Sequence, residues 1–231
     1  MDVEELTTFA ATGLAAAANP EKAVPMAAYM KTDQPFYGVQ KPARTEIFDE
    51  LVVRFAPADR SDYRDAVLAL WGRPHREEQY LAIGYARAFP QYVTLSSIPL
   101  YRHLIVEGAW WDFVDDIAIN LVGTVLRQQR DRMTQKGRAW IDSRDLWLRR
   151  TSIIAQIGHK QATDEALLFD ACAARLHETE FFIRKAIGWA LRDYAKTSSE
   201  AVTAFVLDHE EAMSALSFRE ATKHLELRSR P

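Results

Sequence analysis

Apolar residues recur at intervals of three and four along most of the chain, which is the spacing of one face of an α-helix. Strict alternation of apolar and polar residues is rare, and the hairpin dipeptides Asn-Gly and Asp-Gly are absent. Two of the clearest helical stripes consist of Leu146, Arg150, Ile153, Ile154 and Ile157, and of Ile183, Ile187, Leu191 and Tyr194. The pattern predicts an all-α fold.

Helix starts recur at intervals of about 35 residues, a period typical of helical-repeat arrays. The predicted starts lie near Lys41, His75, Trp110, Asp145, Glu180 and Ala215. Shorter helical stretches between them include 20–30, 61–71, 163–176 and 198–209. One helix pair cannot cover its own apolar face, so stacked pairs would share a core and curve into an arc. We therefore predict a single domain over residues 1–231, a curved solenoid of helical repeats.

Residues at equal offsets in successive second helices would line the inner wall of such an arc. The positions five residues after each predicted start, here called the equal-offset positions, hold Tyr80, Asp115, Arg150 and Lys185. One turn earlier on the same face come Arg76, Trp111, Leu146 and Phe181, and Trp189 follows Lys185 by one turn. The inner wall is predicted to combine aromatic rings, cations and one isolated carboxylate, which suits a bound ligand.

Trp111 and Asp115 lie four residues apart and therefore share a helix face. In one interpretation the tryptophans of this segment belong to the core and Asp115 is a solvated or capping acid. In the other, the carboxylate lies beside an aromatic plane and stabilises positive charge on a substrate. The spacing leaves both interpretations open.

Two consecutive arginines follow in the next predicted repeat. Arg149 lies on the polar side of its helix and is expected to be an ordinary surface residue. Arg150 lies on the apolar side, where it must reach a carboxylate or a phosphate to avoid an unpaired buried charge. The candidates are a structural ion pair with an aspartate such as Asp115, and a contact with a phosphate.

Lys185, Trp189 and Arg192 share a face of a third helix. An aromatic ring between two cations suits a sugar or base flanked by phosphates. The same spacing also suits a plain helix edge.

The formal net charge of −3 over 231 residues means that any nucleic-acid surface must be a local patch. Residues 121–160 contain nine Lys or Arg against three Asp. This excess fits phosphate contacts, whose strength falls steeply with salt, and it also fits a solvated face.

Several classes of site and location lack a sequence signal. Cys172 is the only cysteine, which excludes an intramolecular disulfide, and the six histidines are dispersed. Phosphate-binding glycine loops, His-Glu-x-x-His pairs and calcium loops are absent, so we expect no metal and no cofactor. No apolar run is long enough to span a membrane, and the acidic N-terminus lacks a secretory signal. We expect a cytoplasmic protein without a membrane partner.

Three motifs carry a resemblance to a known family. They are Trp-Trp-Asp-x-Val-Asp at 110–115, Trp-Leu-x-Arg at 147–150, and Phe-Phe-Ile-x-Lys-Ala-Ile-Gly-Trp at 181–189. Together with PMAAYMK and FYGVQKPAR near the N-terminus, they resemble the DNA alkylation repair proteins, the AlkD-type alkylpurine DNA glycosylases. The similarity extends from residue 19 to residue 225.

The resemblance implies HEAT-like helical repeats and the release of N3- and N7-alkylated purines from double-stranded DNA, with the protein nucleoid-associated when bound. It implies that Asp115 is the catalytic carboxylate, with Trp111 and Trp189 as the aromatic walls of the lesion site. Arg150 would lie beside the aspartate and the DNA backbone. Residues expected near DNA are Tyr29, Gln40 and Arg192 by resemblance, and Lys185 from the inner-wall pattern.

In the implied mechanism, Asp115 stabilises an oxocarbenium-like transition state without base flipping. The expected partner is duplex DNA with alkylated purines, bound by a monomer. Three rivals stay open: a helical-repeat scaffold for a protein partner, a non-catalytic DNA-structure binder, and a single-stranded nucleic-acid binder. A scaffold would not need Asp115, Arg150 and both tryptophans.

Overall fold

The computed structural model describes residues 1–225, and all regular secondary structure in that range is helical. The prediction of an all-helical chain is therefore confirmed. The chain divides into two compact units, with the boundary between Val93 and Thr94. The single domain over 1–231 and the curved solenoid stay predictions.

The N-terminal unit contains five α-helices before its boundary. They are α1 Val3–Ala16, α2 Pro20–Met30, α3 Lys41–Arg54, α4 Arg60–Trp71 and α5 Arg76–Ala88, followed by a 3-10 turn at Pro90–Tyr92. Helices α4 and α5 pack against each other, and α1 packs against α3, α4 and α5. Leu14, Leu51, Tyr63 and Tyr85 are fully buried in this unit.

The C-terminal unit begins with a 3-10 turn at Leu95–Ser97. Its α-helices within the described range are α6 Ile98–Gly108, α7 Trp111–Ile117, α8 Gly123–Gln128, α9 Arg130–Ile141, α10 Leu146–Ile154, α11 Glu165–Ala173, α12 Phe181–Ala195, α13 Ser199–Asp208 and α14 Ala215–Ala221. A π-helical segment, Ala118–Val122, joins α7 to α8, and a 3-10 turn occupies Lys160–Ala162. Helix α10 packs against α7, α9 and α12, and α12 packs closely against α14.

The predicted helix starts agree with the structure to within one residue. The residues that cap α3, α5, α7, α10, α12 and α14 are Gln40, His75, Trp110, Asp145, Glu180 and Ser214. The shorter predicted stretches correspond to α2, α4, α11 and α13, and the structure adds α1, α6 and α9. The repeat of about 35 residues is thus a repeat of helix starts.

Local capping chemistry explains where α10 begins. The Asp145 side chain accepts hydrogen bonds from the backbone N–H groups of Trp147 and Leu148, both at 2.9 Å. These bonds satisfy two of the donors that a helix leaves free at its N-terminus. Arg150 follows this cap by five residues.

The π-helical segment after α7 brings this part of the chain close to the end of α10. A methyl group at Gly123 would lie 2.2 Å from the Ala155 carbonyl oxygen, so only glycine permits this approach. The segment packs directly against α10. Short π segments inside helices are rare and often occur next to functional sites. Here the segment lies one residue beyond the helix that carries Asp115.

Candidate active site

Asp115 on α7 and Arg150 on α10 form a bidentate ion pair. Arg150 Nε donates to Asp115 Oδ1 and Arg150 Nη2 donates to Asp115 Oδ2, both at 2.7 Å. Paired, charge-assisted bonds of this kind are among the stronger polar contacts in proteins. The ion pair anticipated for Arg150 is therefore confirmed, and it joins two of the equal-offset positions.

Arg150 is also tied to a third helix. Its Nη1 donates to the Phe182 carbonyl oxygen at 2.5 Å, and its guanidinium carbon lies 5.8 Å from the centre of the Phe182 ring. The Arg150 side chain is only 4% exposed, whereas that of Asp115 is 15% exposed. The hydrogen bonds of Arg150 go to Asp115 and to the Phe182 carbonyl, and a contact of Arg150 with a DNA phosphate stays a prediction. Arg150 positions Asp115, and Asp115 is the member of the pair with more access to solvent.

Burial raises the pKa of the Asp115 carboxyl above its ordinary value, and the hydrogen bonds and charge of Arg150 oppose that rise. Asp112 nearby adds a smaller contribution in the same direction as burial. A neutral Asp115 would leave the buried guanidinium without a counter-charge, which is costly. The pairing with Arg150 therefore favours the ionised form of Asp115 against the effect of burial.

The tryptophans of the motifs divide into two groups. Trp110 and Trp147 pack with Phe182 in one aromatic cluster, whose ring centres are 5.0 to 6.1 Å apart. Through Phe182, which contacts the Arg150 guanidinium, this cluster adjoins the ion pair. Trp111 is half-buried and lies one turn before Asp115 on α7. Of the two tryptophans in the Asp115 segment, the core interpretation therefore suits Trp110, which packs in this cluster.

Trp189 is half-buried on α12, seven residues after Phe182. Seven residues are two helical turns, so Trp189 lies on the same face of α12 as Phe182 and about 10 Å further along the axis. The structure thus brings Asp115, Arg150 and Phe182 into contact and places Trp189 further along the same helix. A lesion site walled by Trp111 and Trp189 stays a prediction.

Lys185 and Arg192 flank Trp189, and both pair with Glu220 on α14. Lys185 Nζ lies 2.8 Å from Glu220 Oε1, and Arg192 Nη1 contacts Glu220 Oε2. The hydrogen bond from Lys185 is the main cause that lowers the pKa of Glu220, with further lowering from the charge of Arg192. Glu220 was not among the predicted site residues. A signal was present, since Glu220 is the next equal-offset position, five residues after the predicted start at Ala215.

Tyr29 and Gln40 belong to the N-terminal unit. Both line an open pocket of about 320 Å³ whose other walls include Lys22, Phe36 and Tyr80. Tyr29 is 71% exposed. The pocket is a recess on this unit with one aromatic ring open to solvent.

The loop that leads to Gln40 is held by Glu77, another residue that our sequence reasoning missed. The fully buried Glu77 carboxylate accepts hydrogen bonds from the backbone N–H groups of Tyr37, Gly38 and Val39, at 3.1, 2.8 and 3.0 Å. Gly38 has a φ of +82°, and a side chain there would collide with the Asn19 backbone. The loop therefore depends on one glycine and one buried acid.

Comparison with known proteins identifies the family. A family model described as DNA alkylation repair enzyme matches residues 10–225. The chain belongs to this family. It is also similar to a solved structure, a predicted DNA alkylation repair enzyme from Enterococcus faecalis, with 30% sequence identity and a TM-score of 0.84. That similarity covers 90% of this chain and 97% of the other. A comparison with curated proteins gave no match.

Membership of the DNA alkylation repair family implies a role in DNA repair and DNA as the substrate. Within residues 1–225, no helix is long and apolar enough to cross a membrane. In the same range, no cluster of three or more His, Cys, Asp or Glu side chains is arranged to hold a metal ion.

The basic segment 121–160 is less available for DNA than its composition indicates. Arg149, expected on the surface, is mostly buried and forms a bidentate pair with Glu178 at 2.8 and 3.0 Å. Arg138 pairs with Asp170, and Arg150 with Asp115. The expectation for Arg149 was wrong because its acidic partner lies 29 residues further along the chain. A count of charged residues within 121–160 leaves out acidic partners that come from other segments of the chain.

Proposed function

We propose that this protein is a DNA glycosylase that releases cationic N3- and N7-alkylated purines from double-stranded DNA. The observation that carries the proposal is the Asp115–Arg150 pair, a partly exposed carboxylate held rigidly by a buried guanidinium. A structural ion pair alone would not need its acid at the more exposed end. Family membership supports alkylated DNA as the substrate class.

The proposed reaction transfers a positive charge from the purine to the sugar, and the enzyme must stabilise the charge on the sugar. Alkylation at N3 or N7 makes the purine cationic, so the base leaves as a neutral molecule with both electrons of the C1′–N bond. The sugar then carries the positive charge, and a fixed carboxylate beside it favours that transition state over the ground state. Water adds to C1′ and releases one proton, leaving an abasic site and the free base. In this proposal Asp115 stabilises the sugar cation and orients the water.

Arg150 supports this role indirectly. The two bonds from its guanidinium fix both carboxylate oxygens, and the bond to the Phe182 carbonyl fixes the guanidinium itself. Arg150 also opposes the rise in the pKa of Asp115 that burial causes. We therefore assign Arg150 to positioning and ionisation of Asp115.

We further propose that the rings of Trp111 and Trp189 contact the sugar of the lesion nucleotide. Cation–π attraction would then increase as positive charge develops on the sugar. The proposal leaves the base in the helical stack, because the enzyme would sense charge at the backbone and would not need to enclose the base. Tyr29, Gln40, Lys185 and Arg192 are proposed to contact the duplex around the lesion.

Analysis of released bases tests the proposal. The purified protein is incubated with methylated duplex, and free 7-methylguanine and 3-methyladenine are measured by chromatography. We expect steady release by the parent protein and almost none by Asp115→Asn. Asp116→Asn is a matched control, since Asp116 is the next acid in the same helix and bonds to Asn120. Release at equal rates by Asp115→Asn and the parent would refute the proposal. Duplex binding without release by the parent protein itself would favour a non-catalytic binder.

A further inference from the structure

The Glu220 carboxylate pairs with both cations that flank Trp189. Glu220 contacts Lys185 through Oε1 and Arg192 through Oε2, so each oxygen has a cationic partner. Lys185 lies one turn before Trp189 on α12 and Arg192 lies nearly one turn after it. The Lys185 side chain is 39% exposed, whereas that of Glu220 is 15% exposed.

Close packing of α12 on α14 holds Glu220 in this position. A methyl group at Gly188 would lie 2.4 Å from Glu220 Cβ, so the two helices approach as closely as glycine allows. On the same contact, Ser217 Oγ donates to the Arg184 carbonyl oxygen at 2.9 Å. The backbone of Glu220 therefore has little freedom to move away from Lys185 and Arg192.

The two ion pairs of the equal-offset positions are arranged in opposite ways. In the pair Asp115–Arg150 the cation is buried and the acid is the more exposed partner. In the pair Lys185–Glu220 the cation is the more exposed partner, at 39% against 15% for the acid. In the first pair the acid is therefore the member closer to solvent, and in the second it is the cation, whose charge Glu220 partly neutralises.

We propose that Glu220 is a specificity-determining residue, which weakens binding to undamaged duplex by competing with phosphates for Lys185 and Arg192. The inference rests on the proposed function, since it assumes that these cations face DNA. The three side chains together carry one net positive charge, whereas Lys185 and Arg192 alone would carry two. When the contacts with phosphates are weaker, they contribute less to the binding of any duplex. The positive charge of the lesion then accounts for a larger share of the affinity for damaged DNA, and the preference for damaged over undamaged DNA increases.

Salt dependence provides a readout that a merely structural role would not change. The logarithm of the affinity for duplex DNA falls with the logarithm of salt by about 0.9 for each phosphate neutralised. In Glu220→Gln we expect undamaged duplex to bind roughly five- to tenfold more tightly at about 50 mM salt, with a salt slope steeper by about 0.9 between 50 and 200 mM. Binding to duplex containing 7-methylguanine, measured in an Asp115→Asn background to prevent cleavage, should tighten less. The preference for damaged DNA should therefore fall.

Glu178→Gln is the matched control. Glu178 also receives two cations, Arg149 and Arg175, and is similarly buried. The Arg149 guanidinium additionally donates to the carbonyl oxygens of Ser143 and Arg144, so loss of Glu178 does not release it. We expect the salt slope of Glu178→Gln to equal that of the parent protein.

The double variant Lys185→Gln/Glu220→Gln covers the case in which Glu220→Gln fails to fold, because it leaves only one cation without its acid. Its local net charge equals that of the parent, so its salt slope should be parental. If Glu220 were only structural and both cations contacted phosphates fully, the slope would instead be shallower by about 0.9. That result, or unchanged binding by a folded Glu220→Gln, would overturn the inference and leave the proposed function standing. Failure of the parent protein to bind duplex DNA at any salt concentration would overturn both.

Discussion

The side chains of Asp115 and Arg150 meet across two helices through a pair of 2.7 Å hydrogen bonds, although the residues lie 35 positions apart in the chain. Both follow a helix cap by five residues, Trp110 for Asp115 and Asp145 for Arg150. The repeat therefore places an acidic and a basic side chain at equivalent positions, five residues after the cap, on two helices that pack together. The buried Arg150 side chain then holds the Asp115 carboxylate in place, and the proposed chemistry depends on that fixed position.

Replacement of Arg150 should change the pH dependence of base release. Burial raises the pKa of Asp115 and Arg150 opposes the rise, so Arg150→Gln leaves only the raising causes. Base release requires ionised Asp115, and the rate therefore falls as pH drops through the pKa of that group. In Arg150→Gln this fall should begin at a higher pH, and Arg150→Lys, which retains the charge, should shift it less. Single-turnover rates at a series of pH values measure the shift, and an acid limb at the parental pH in Arg150→Gln would contradict the assignment.

The Asp115–Arg150 pair should show strong energetic coupling. Removal of one partner leaves the other charge buried and unpaired, which typically costs about 3–5 kcal/mol of unfolding free energy. Arg150→Met and Asp115→Asn should each destabilise the fold, and the double variant should lose clearly less than the sum of the two. Urea unfolding of the four proteins measures the coupling. Additive losses would mean that the two side chains do not depend on each other.

Replacement of Trp189 should affect damaged DNA more than undamaged DNA. If its ring contacts the sugar of the lesion nucleotide, Trp189→Ala loses a cation–π contact of about 0.5–2 kcal/mol. Base release and binding to 7-methylguanine duplex should then weaken, while binding to undamaged duplex changes little. Trp140→Phe, which alters a buried tryptophan of α9, controls for general effects of losing an indole. Equal losses for both kinds of duplex would remove Trp189 from the lesion site.

Replacement of Glu77 should loosen the loop that leads to Gln40. Its carboxylate accepts three backbone N–H groups, whereas a glutamine offers one acceptor oxygen and turns an NH₂ group toward the same donors. Hydrogen bonds to charged groups contribute about 1.5–3 kcal/mol each, so Glu77→Gln should lower the unfolding free energy by a few kcal/mol. Faster hydrogen exchange at the amides of Tyr37, Gly38 and Val39 would locate the effect. Exposed Glu50, replaced by Gln, is the control, and parental exchange at the three amides would show that Glu77 does not hold the loop.

Helix positions were predictable because their signals are local. Asp145 and Ser214 cap their helices through contacts within three residues, and such caps can be recognised from neighbouring sequence. The spacing of apolar residues identifies the buried face in the same way. For these reasons the helix starts agree with the structure to within one residue, whereas the π-helical segment 118–122 gave no recognisable signal.

The partners of charged residues were much harder to predict. Arg149 and Arg150 are neighbours in sequence, yet one pairs with Glu178 on the chain that precedes α12 and the other with Asp115 on α7. Lys185 and Arg192 resemble free cations until Glu220 is placed beside them. Each pairing depends on distances between helices that no local pattern contains.

The sequence by itself determined the helical fold, the period of its helix starts and the residues that belong together by their position in each repeat. Tertiary structure alone decided how far each charged side chain is buried and which acidic side chain pairs with which basic one. The physical reason is that helix formation depends on bonds between near neighbours, whereas the strength of a charge depends on how close its partner lies and how much water is excluded. The sequence left an ion pair and a phosphate contact open for Arg150, and only the packing of α10 against α7 and α12 showed that its guanidinium bonds to Asp115 and the Phe182 carbonyl.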